Sequence, residues 1–365
     1  MKIKTLFILL ILAVSSITVV VVLFLLSEHE VHRNNAFVRR YPHHPITKKY
    51  DLPIKYNSYY VSGFDNDILY LGNNTAPLHL LEVNLKTKDT NHIQIRMKSK
   101  DLTFQSLKVK MQPPYFFIMD GSVPCIFRGK IGDWNAHLWM KDKAYFNKAM
   151  PVDSNKIYIN TISSKTQMTT LGLIERQENE NINIVLNTDI LEKQIDGVFD
   201  VDGIMTISPN TGTLGYVYFY RNQFMVMDSN LKLIERQHTI DTVQRVQIKV
   251  ANLNDNQISK MKAPPMIVNK MAFMYNDLLL INSDRLGKYE DEDMLKEASI
   301  IDVYNWQKES YEFSFYFYHI GKESVKEFAV FNDYLIGLID DKLSVYEIGK
   351  KQFNQVSIKQ KTIRL

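Results

Sequence analysis

The sequence predicts an all-β chain: a β-propeller of six four-stranded blades, six being preferred over seven, preceded by one N-terminal transmembrane helix. Three observations lead there. One uncharged apolar stretch opens the chain, helical periodicity nearly vanishes beyond residue 50, and a strand–turn module recurs six times between residues 51 and 365. The chain accordingly divides into an anchor at 1–27, a polar tether at 28–50 and a propeller domain at 51–365.

The apolar stretch runs from Leu6 to Leu26, with Ser15, Ser16 and Thr18 as its polar side chains. As a helix it reaches about 31 Å, enough for a hydrocarbon core of roughly 30 Å. A cleaved signal is the alternative, with small residues at Ala13–Ser16. The VVVVLFLL run beyond them would stay on the mature chain, so an uncleaved anchor is preferred. Lys2 and Lys4 precede the span and place the N-terminus in the cytoplasm; Arg33, Arg39 and Arg40 weigh the other way. The expectation is a single-pass protein, in the membrane through residues 6–26, with its large domain periplasmic or otherwise extracytoplasmic.

Composition narrows the classes. With 45% hydrophobic and 23% charged residues the body folds rather than staying disordered. A net charge of only +4 leaves no basic stripe for phosphate contacts, which argues against nucleic acid as a partner. Cys125 is the single cysteine, so no disulfide framework or cysteine-rich metal site exists; in the run VPCIFRG it reads as core. Asn73-Asn74-Thr75 matches a glycosylation triplet. Residues 27–50 carry His29, His32, His43 and His44, read as solvated linker because no acidic or cysteine partner completes a ligand spacing.

The modules are taken in chain order. The first is YYVSGF, ILYLG, LHLLEVN and HIQIRM. The second is SLKVKM, YFFIMDG and CIFRG, with AHLWM as a poorer fourth piece. The third is AYFNKAM, KIYINTI, MTTLGLI and INIVL. The fourth is LGYVYFY, QFMVMD, LKLIERQ and TVQRVQIKV, and the fifth KMAFMY, LLLINS, SIIDVYN and YEFSFYFY. The sixth is EFAVF, YLIGLID and LSVYEIG, with a closing strand placed in residues 353–365. LIERQ occurs at Leu173–Gln177 and Leu233–Gln237, which this register puts at comparable positions of neighbouring modules. A four-stranded unit cannot bury both faces alone, and radial stacking lets each sheet cover the next. About 24 strands are too many for one sandwich. Asn187–Asp202 reads as an insertion with a short helical turn. KYEDEDMLK, residues 288–296, reads as a solvated acidic loop; calcium is the only cofactor considered for it, and the alternating ligand spacing and turn glycine are absent.

No catalytic signature appears: there is no G-x-S-x-G, H-E-x-x-H, P-loop or dinucleotide fingerprint. His79, His92 and His319 lie in or beside strands, and His137 lies beside Trp134 and Trp139. Asp65, Asp120, Asp228, Asp284 and Asp340 recur near strand ends, where turn duty competes with convergence on a central channel.

The span, the opening YYVSGFDNDILYLGN and the units NDILYLG, NQFMVMD, NDLLLINS and NDYLIGLI resemble the six-bladed TolB-like β-propellers that Bacteroidota-type bacteria export or tether to a membrane. That resemblance implies architecture. Related propellers bind proteins, peptides or sugars, and the metal- and cofactor-contacting residues of the enzyme members have no match here. The function expected is a membrane-tethered binding module with a protein or peptide partner in the cell envelope. The alternatives are an exported hydrolase or dehydrogenase with its site at the channel mouth, and a scaffold of an envelope complex.

Overall fold

A computed structural model of the chain describes residues 3–31, 35–97, 102–178, 180–253, 258–261 and 264–354. One helix, Ile3–Val31, includes the stretch Phe7–Leu26, long and apolar enough to cross a membrane and exposed along its whole length. The remaining architecture is a six-bladed β-propeller.

Blade one is Tyr59–Asp65, Ile68–Asn73, His79–Asn84 and Thr90–Gln94. Blade two is Lys108–Gln112, Tyr115–Asp120, Cys125–Lys130 and Asn135–Lys141. A two-residue strand, Arg96–Met97, joins its outer edge in parallel. Blade three is Lys148–Pro151, Lys156–Ile162, Thr169–Arg176 and Ile182–Asn187. Blade four is Gly203–Ile207, Leu214–Tyr218, Gln223–Met227 and Leu233–His238. Blade five is Met271–Tyr275, Leu278–Asn282, Ala298–Asn305 and Ser310–Tyr318. Blade six is Glu327–Phe331, Tyr334–Ile339 and Lys342–Ile348, completed by Ile46–Pro53. The first strand of each blade is innermost, and the inner strands touch their neighbours all the way round.

The near-continuous apolar strands have a direct cause. Successive side chains of a strand point to opposite faces, and here both faces are covered by another blade. In Tyr115–Asp120, Phe116 and Ile118 pack towards blade one, while Phe117 and Met119 pack towards blade three. Each of the six junctions between blades carries its own apolar cluster. Burying one such phenylalanine is worth about 1.5–3 kcal/mol.

Four expectations are corrected. Blade six is closed not by residues 353–365 but from the N-terminal side. Ile46–Pro53 pairs antiparallel with Lys342–Ile348, from Ile46 opposite Ile348 to Pro53 opposite Lys342. Lys350–Asn354 is a short helix that seats Phe353 against Phe313 and Phe315, and residues 355–365 lie outside the described residues. The inner strand of blade four is Gly203–Ile207, so LGYVYFY is its second strand and TVQRVQIKV is no blade strand. A separate hairpin, Val250–Leu253 with Ile258–Met261, comes after blade four instead. LIERQ consequently falls on the third strand of blade three but on the outer strand of blade four; the repeat marks no equivalence. Residues 188–202 form turns and bends with no helix. There Asp200 accepts the backbone N–H groups of Gln194, Ile195 and Gly197.

The tether expectation changes too. From Asn35 the chain is docked on blade five as a strap, and from Ile46 it is a blade strand.

Candidate functional site

Because every blade is a four-stranded meander, all inner strands start on one face, where each outer strand hands over to the next blade. The loops between second and third strands open on that face as well. Lys108 and Lys148 begin the inner strands of blades two and three, and Lys270 and Lys326 immediately precede those of blades five and six. Four of six blades thus put a lysine at, or one residue before, the start of the inner strand, on the face of the channel mouth.

Three of these lysines meet carboxylates. Lys148 Nζ lies 3.3 Å from Asp202 and donates to the Gly203 carbonyl at 2.7 Å, crossing to blade four. Lys270 pairs with Asp284 at 2.9 Å, and Lys326 lies 3.9 Å from Asp340. All three pairs are roughly half exposed, so each contributes little to stability. Lys108 differs. It donates to the Asn74 side-chain oxygen and stands 4.4 Å over the Tyr60 ring. Burial, then the Lys110 charge, lowers its pKa, with Glu327 opposing. Lys110 lies two residues further on, on the same face of the strand, and donates to the Val61 carbonyl at 2.7 Å. Glu327 accepts the Val61 N–H at 2.9 Å. These two charges sew blades two and six to blade one. The mouth is a ring of ammonium and carboxylate groups suited to binding charged partners, and within it Lys108 is held by an amide rather than by a carboxylate.

The residues singled out from sequence divide accordingly. Asp284 and Asp340 reach the mouth; Asp65 and Asp228 sit in turns on the opposite face. There Asp65 accepts from the Asn66 side chain, and Asp228 takes the N–H groups of Asn230 and Lys232. Asp120 is buried and accepts four backbone N–H groups, from Gln105, Ser106, Ser122 and Val123. Burial alone raises its pKa, but those four donors outweigh it and hold the carboxyl below its usual range. His137 is exposed on the outer strand of blade two, far from the channel. His79 and His92 share a 3.0 Å contact at the rim, where burial and then His92 lower the His79 pKa. His319 bridges Ser299 and the Lys296 carbonyl. His43 and His44 belong to the strap, and His32 lies outside the described residues. The Cys125 thiol is buried and pushed up to about 11 by burial and then by Asp120. Asn73 is buried, and its side-chain oxygen accepts from the Thr75 N–H and hydroxyl.

The acidic loop after Gly287 has a different job. Arg39, whose side chain is 1% exposed, forms a two-pronged bond to Asp302, at 2.7 and 3.0 Å, and a 2.6 Å bond to Glu290. Burial on its own lowers the Arg39 pKa, and Asp302 and then Glu290 raise it well beyond that, so the group stays cationic. Tyr41 donates to Glu290 at 2.6 Å, the Lys288 N–H donates to the Phe37 carbonyl, and the Ser314 N–H donates to the Arg40 carbonyl. Asp293 pairs with Lys296. Among the described residues no three His, Cys, Asp or Glu side chains converge to hold a metal. Two shallow grooves flank the strap. One, of about 200 Å³, is lined by Tyr41, His44, Ser314 and Tyr316; the other, of about 520 Å³, is lined by Arg40, Lys308, Glu312 and Gln352. Nothing in the local sequence signals this latch, whereas the lysine at or just before four of the six inner strands is visible once the modules are aligned.

No protein-family model matches the chain, and no curated protein matches it. Solved structures are similar in strand layout. A member of the DUF4221 family from Bacteroides vulgatus ATCC 8482 has a TM-score of 0.47 and 11% identity, over 83% of this chain and 97% of that one. A chain of a nidogen/laminin complex has a TM-score of 0.41 and 10% identity, over 70% and 78%. YCF48 bound to D1 peptide has a TM-score of 0.41 and 10% identity, over 82% and 81%. Likenesses this distant carry no ligand or partner to this chain.

Proposed function

We propose that the chain is a membrane-anchored binding module of the cell envelope. Its propeller lies on the extracytoplasmic side and receives a protein or peptide partner, through acidic groups, at the channel mouth. The carrying observation is the placement of Lys108, Lys148, Lys270 and Lys326 at or just before the start of four inner strands, with Lys108 bonded to Asn74 instead of to a carboxylate. A lysine held by an amide gives up less on meeting an incoming carboxylate than one that must first break an ion pair. The span and the lysines before it support the anchored topology. The resemblance to TolB-like propellers of Bacteroidota type supports the architecture that presents this mouth, and related propellers bind proteins, peptides or sugars.

Crosslinking from native membranes tests the reading. The full chain is expected to capture a reproducible partner, and Lys108→Glu to lose it by tenfold or more, as one charge-assisted contact of about 1.5–3 kcal/mol implies. Absence of a partner, or a partner held equally by Lys108→Glu, refutes it. Protease added to cells whose outer envelope has been opened while the inner membrane stays sealed should digest loops of the propeller; a fully protected domain would overturn the topology.

A further inference from the structure

The strap places a particular rim of the propeller close to the bilayer. The helix continues to Val31, about 8 Å beyond Leu26 at its rise per residue. From Val31 to Asn35 the chain spans at most about 14 Å, however it runs. At Asn35 it is already docked: its N–H donates to the Leu286 carbonyl, and its side-chain nitrogen donates to the same oxygen at 2.9 Å. The first docked residue therefore stands within about 22 Å of the hydrocarbon edge, of which the headgroup layer fills roughly 5–7 Å.

What lies at that point is shaped for an interface. Along the strap Phe37 and Arg39 turn inward, at 8% and 7% exposure, and alternation leaves Val38 outward at 54%. On the loop beside it Glu290 turns in to Arg39, and Tyr289 stands out at 73% exposure, the most open tyrosine among the exposed large apolar side chains. The Lys288 N–H bond to Phe37, 2.8 Å long, holds the two outward residues next to each other. The Lys288 ammonium sits 5.4 Å from the Tyr289 ring. Asp291 lies two residues beyond that tyrosine. A tyrosine with an aliphatic neighbour and a lysine is the chemistry that settles at headgroup level.

We infer that Val38, Lys288 and Tyr289 rest in the headgroup layer of the bilayer that holds the chain, which turns the lysine-bearing channel mouth towards the membrane. The inference rests on the anchored reading. Its partner is a zwitterionic phospholipid surface, which offers a phosphate to Lys288 and an ammonium to Asp291; an anionic surface would repel that carboxylate. The loop holding these residues joins the second and third strands of blade five, so it opens on the same face as the mouth.

The test uses the full chain in vesicles of phosphatidylethanolamine and phosphatidylcholine. An environment-sensitive label is placed at Tyr289→Cys and, in separate samples, at Val38→Cys and at Leu233→Cys on the outer strand of blade four. Native Cys125 is buried and stays unlabelled. Labels at 289 and 38 are expected to shift to the blue and lose about half of their emission to nitroxide lipids of headgroup depth, with no change at 233. Water-like emission at 289 and 38, in protein that stays with the vesicles through an alkaline wash, overturns the inference. Protein that leaves the vesicles in that wash overturns the anchored reading instead. Quenching confined to anionic vesicles overturns the choice of lipid.

Discussion

Replacing Arg39 by alanine should free the strap while leaving the propeller standing. The substitution leaves the Asp302 and Glu290 carboxylates, 3% and 9% exposed, without their cation. Removing one member of a buried pair costs about 3–5 kcal/mol, mostly because the remaining charge stays out of water. The strap's main apolar anchor, Phe37, is worth only about 1.5–3 kcal/mol. Undocking residues 35–45 hydrates both carboxylates, so local opening relieves the penalty more cheaply than global unfolding. Opening should become more frequent by roughly two to four orders of magnitude, at about 1.4 kcal/mol per factor of ten. Trypsin cleavage after Arg40 reads this out directly, since cleavage of a rapidly opening segment follows the open population. Arg39→Lys should fall between, because an ammonium cannot form the two-pronged bond to Asp302. A triple change of Arg39 to Met and of Asp302 and Glu290 to Leu should restore much of the protection. Cleavage of Arg39→Ala at a rate close to the parent's would refute the latch.

Asp120→Asn should lower the urea midpoint by an amount equivalent to about 2–3 kcal/mol, because an amide offers its NH₂ to a pair of N–H donors that a carboxylate oxygen had accepted. The parent's stability should fall between pH 5 and pH 2. Asp120 and Asp200 have folded pKa values held down, so their contribution is full above the unfolded value of about 3.9 and is lost as pH drops through the folded one. A parent whose urea midpoint does not change over that range contradicts this. Gly121→Ala should cost about 3 kcal/mol or more, since its Cβ would lie on the Phe146 carbonyl oxygen. At Gly132 the space is open and only the φ of +93° resists, so alanine there should cost about 1–2 kcal/mol; equal melting losses would contradict the comparison. A chain beginning at residue 35 should melt cooperatively, and one beginning at residue 54 should not, because the latter leaves blade six without its outer strand. Matching melts would refute that closure.

Five modules are legible because a strand covered on both faces must be apolar on both, and a run such as YFFIMD or LLLIN announces this without any partner in view. Where only one face is covered the signal weakens. Ile46–Pro53, ITKKYDLP, alternates between partly buried and exposed, and its polar letters look like linker; only pairing with Lys342–Ile348 makes it a strand. Blade four is hard to place for a related reason. Gly203–Ile207 is five residues long and Gly203 packs against Tyr216, so no long apolar run marks it. Its neighbour LGYVYFY carries the strong pattern and draws the register one strand too far.

Charge is harder to read than apolarity, for a reason visible in the spacings. Lys270 and Asp284 are 14 residues apart within one blade, and a comparison of modules can find such a pair. Arg39 meets Asp302 across 263 residues and Glu290 across 251. A lone arginine in a polar stretch is indistinguishable in sequence from the solvated arginine beside it, and Arg40 is exposed. What separates them is alternation: residues 37 and 39 turn inward and 38 and 40 outward, the period of an extended chain lying on a surface. That period, FxR within FVRR, is too short to stand out from chance. The effect on the whole molecule is larger than one misplaced strand, because a stretch that looks like a flexible leash instead hands its first docked residue to the propeller within about 22 Å of the apolar span. A leash would leave every face of the domain free to meet the bilayer. If the chain is anchored as proposed, a latched strap selects one, and it is the face on which Lys108, Lys148, Lys270 and Lys326 open.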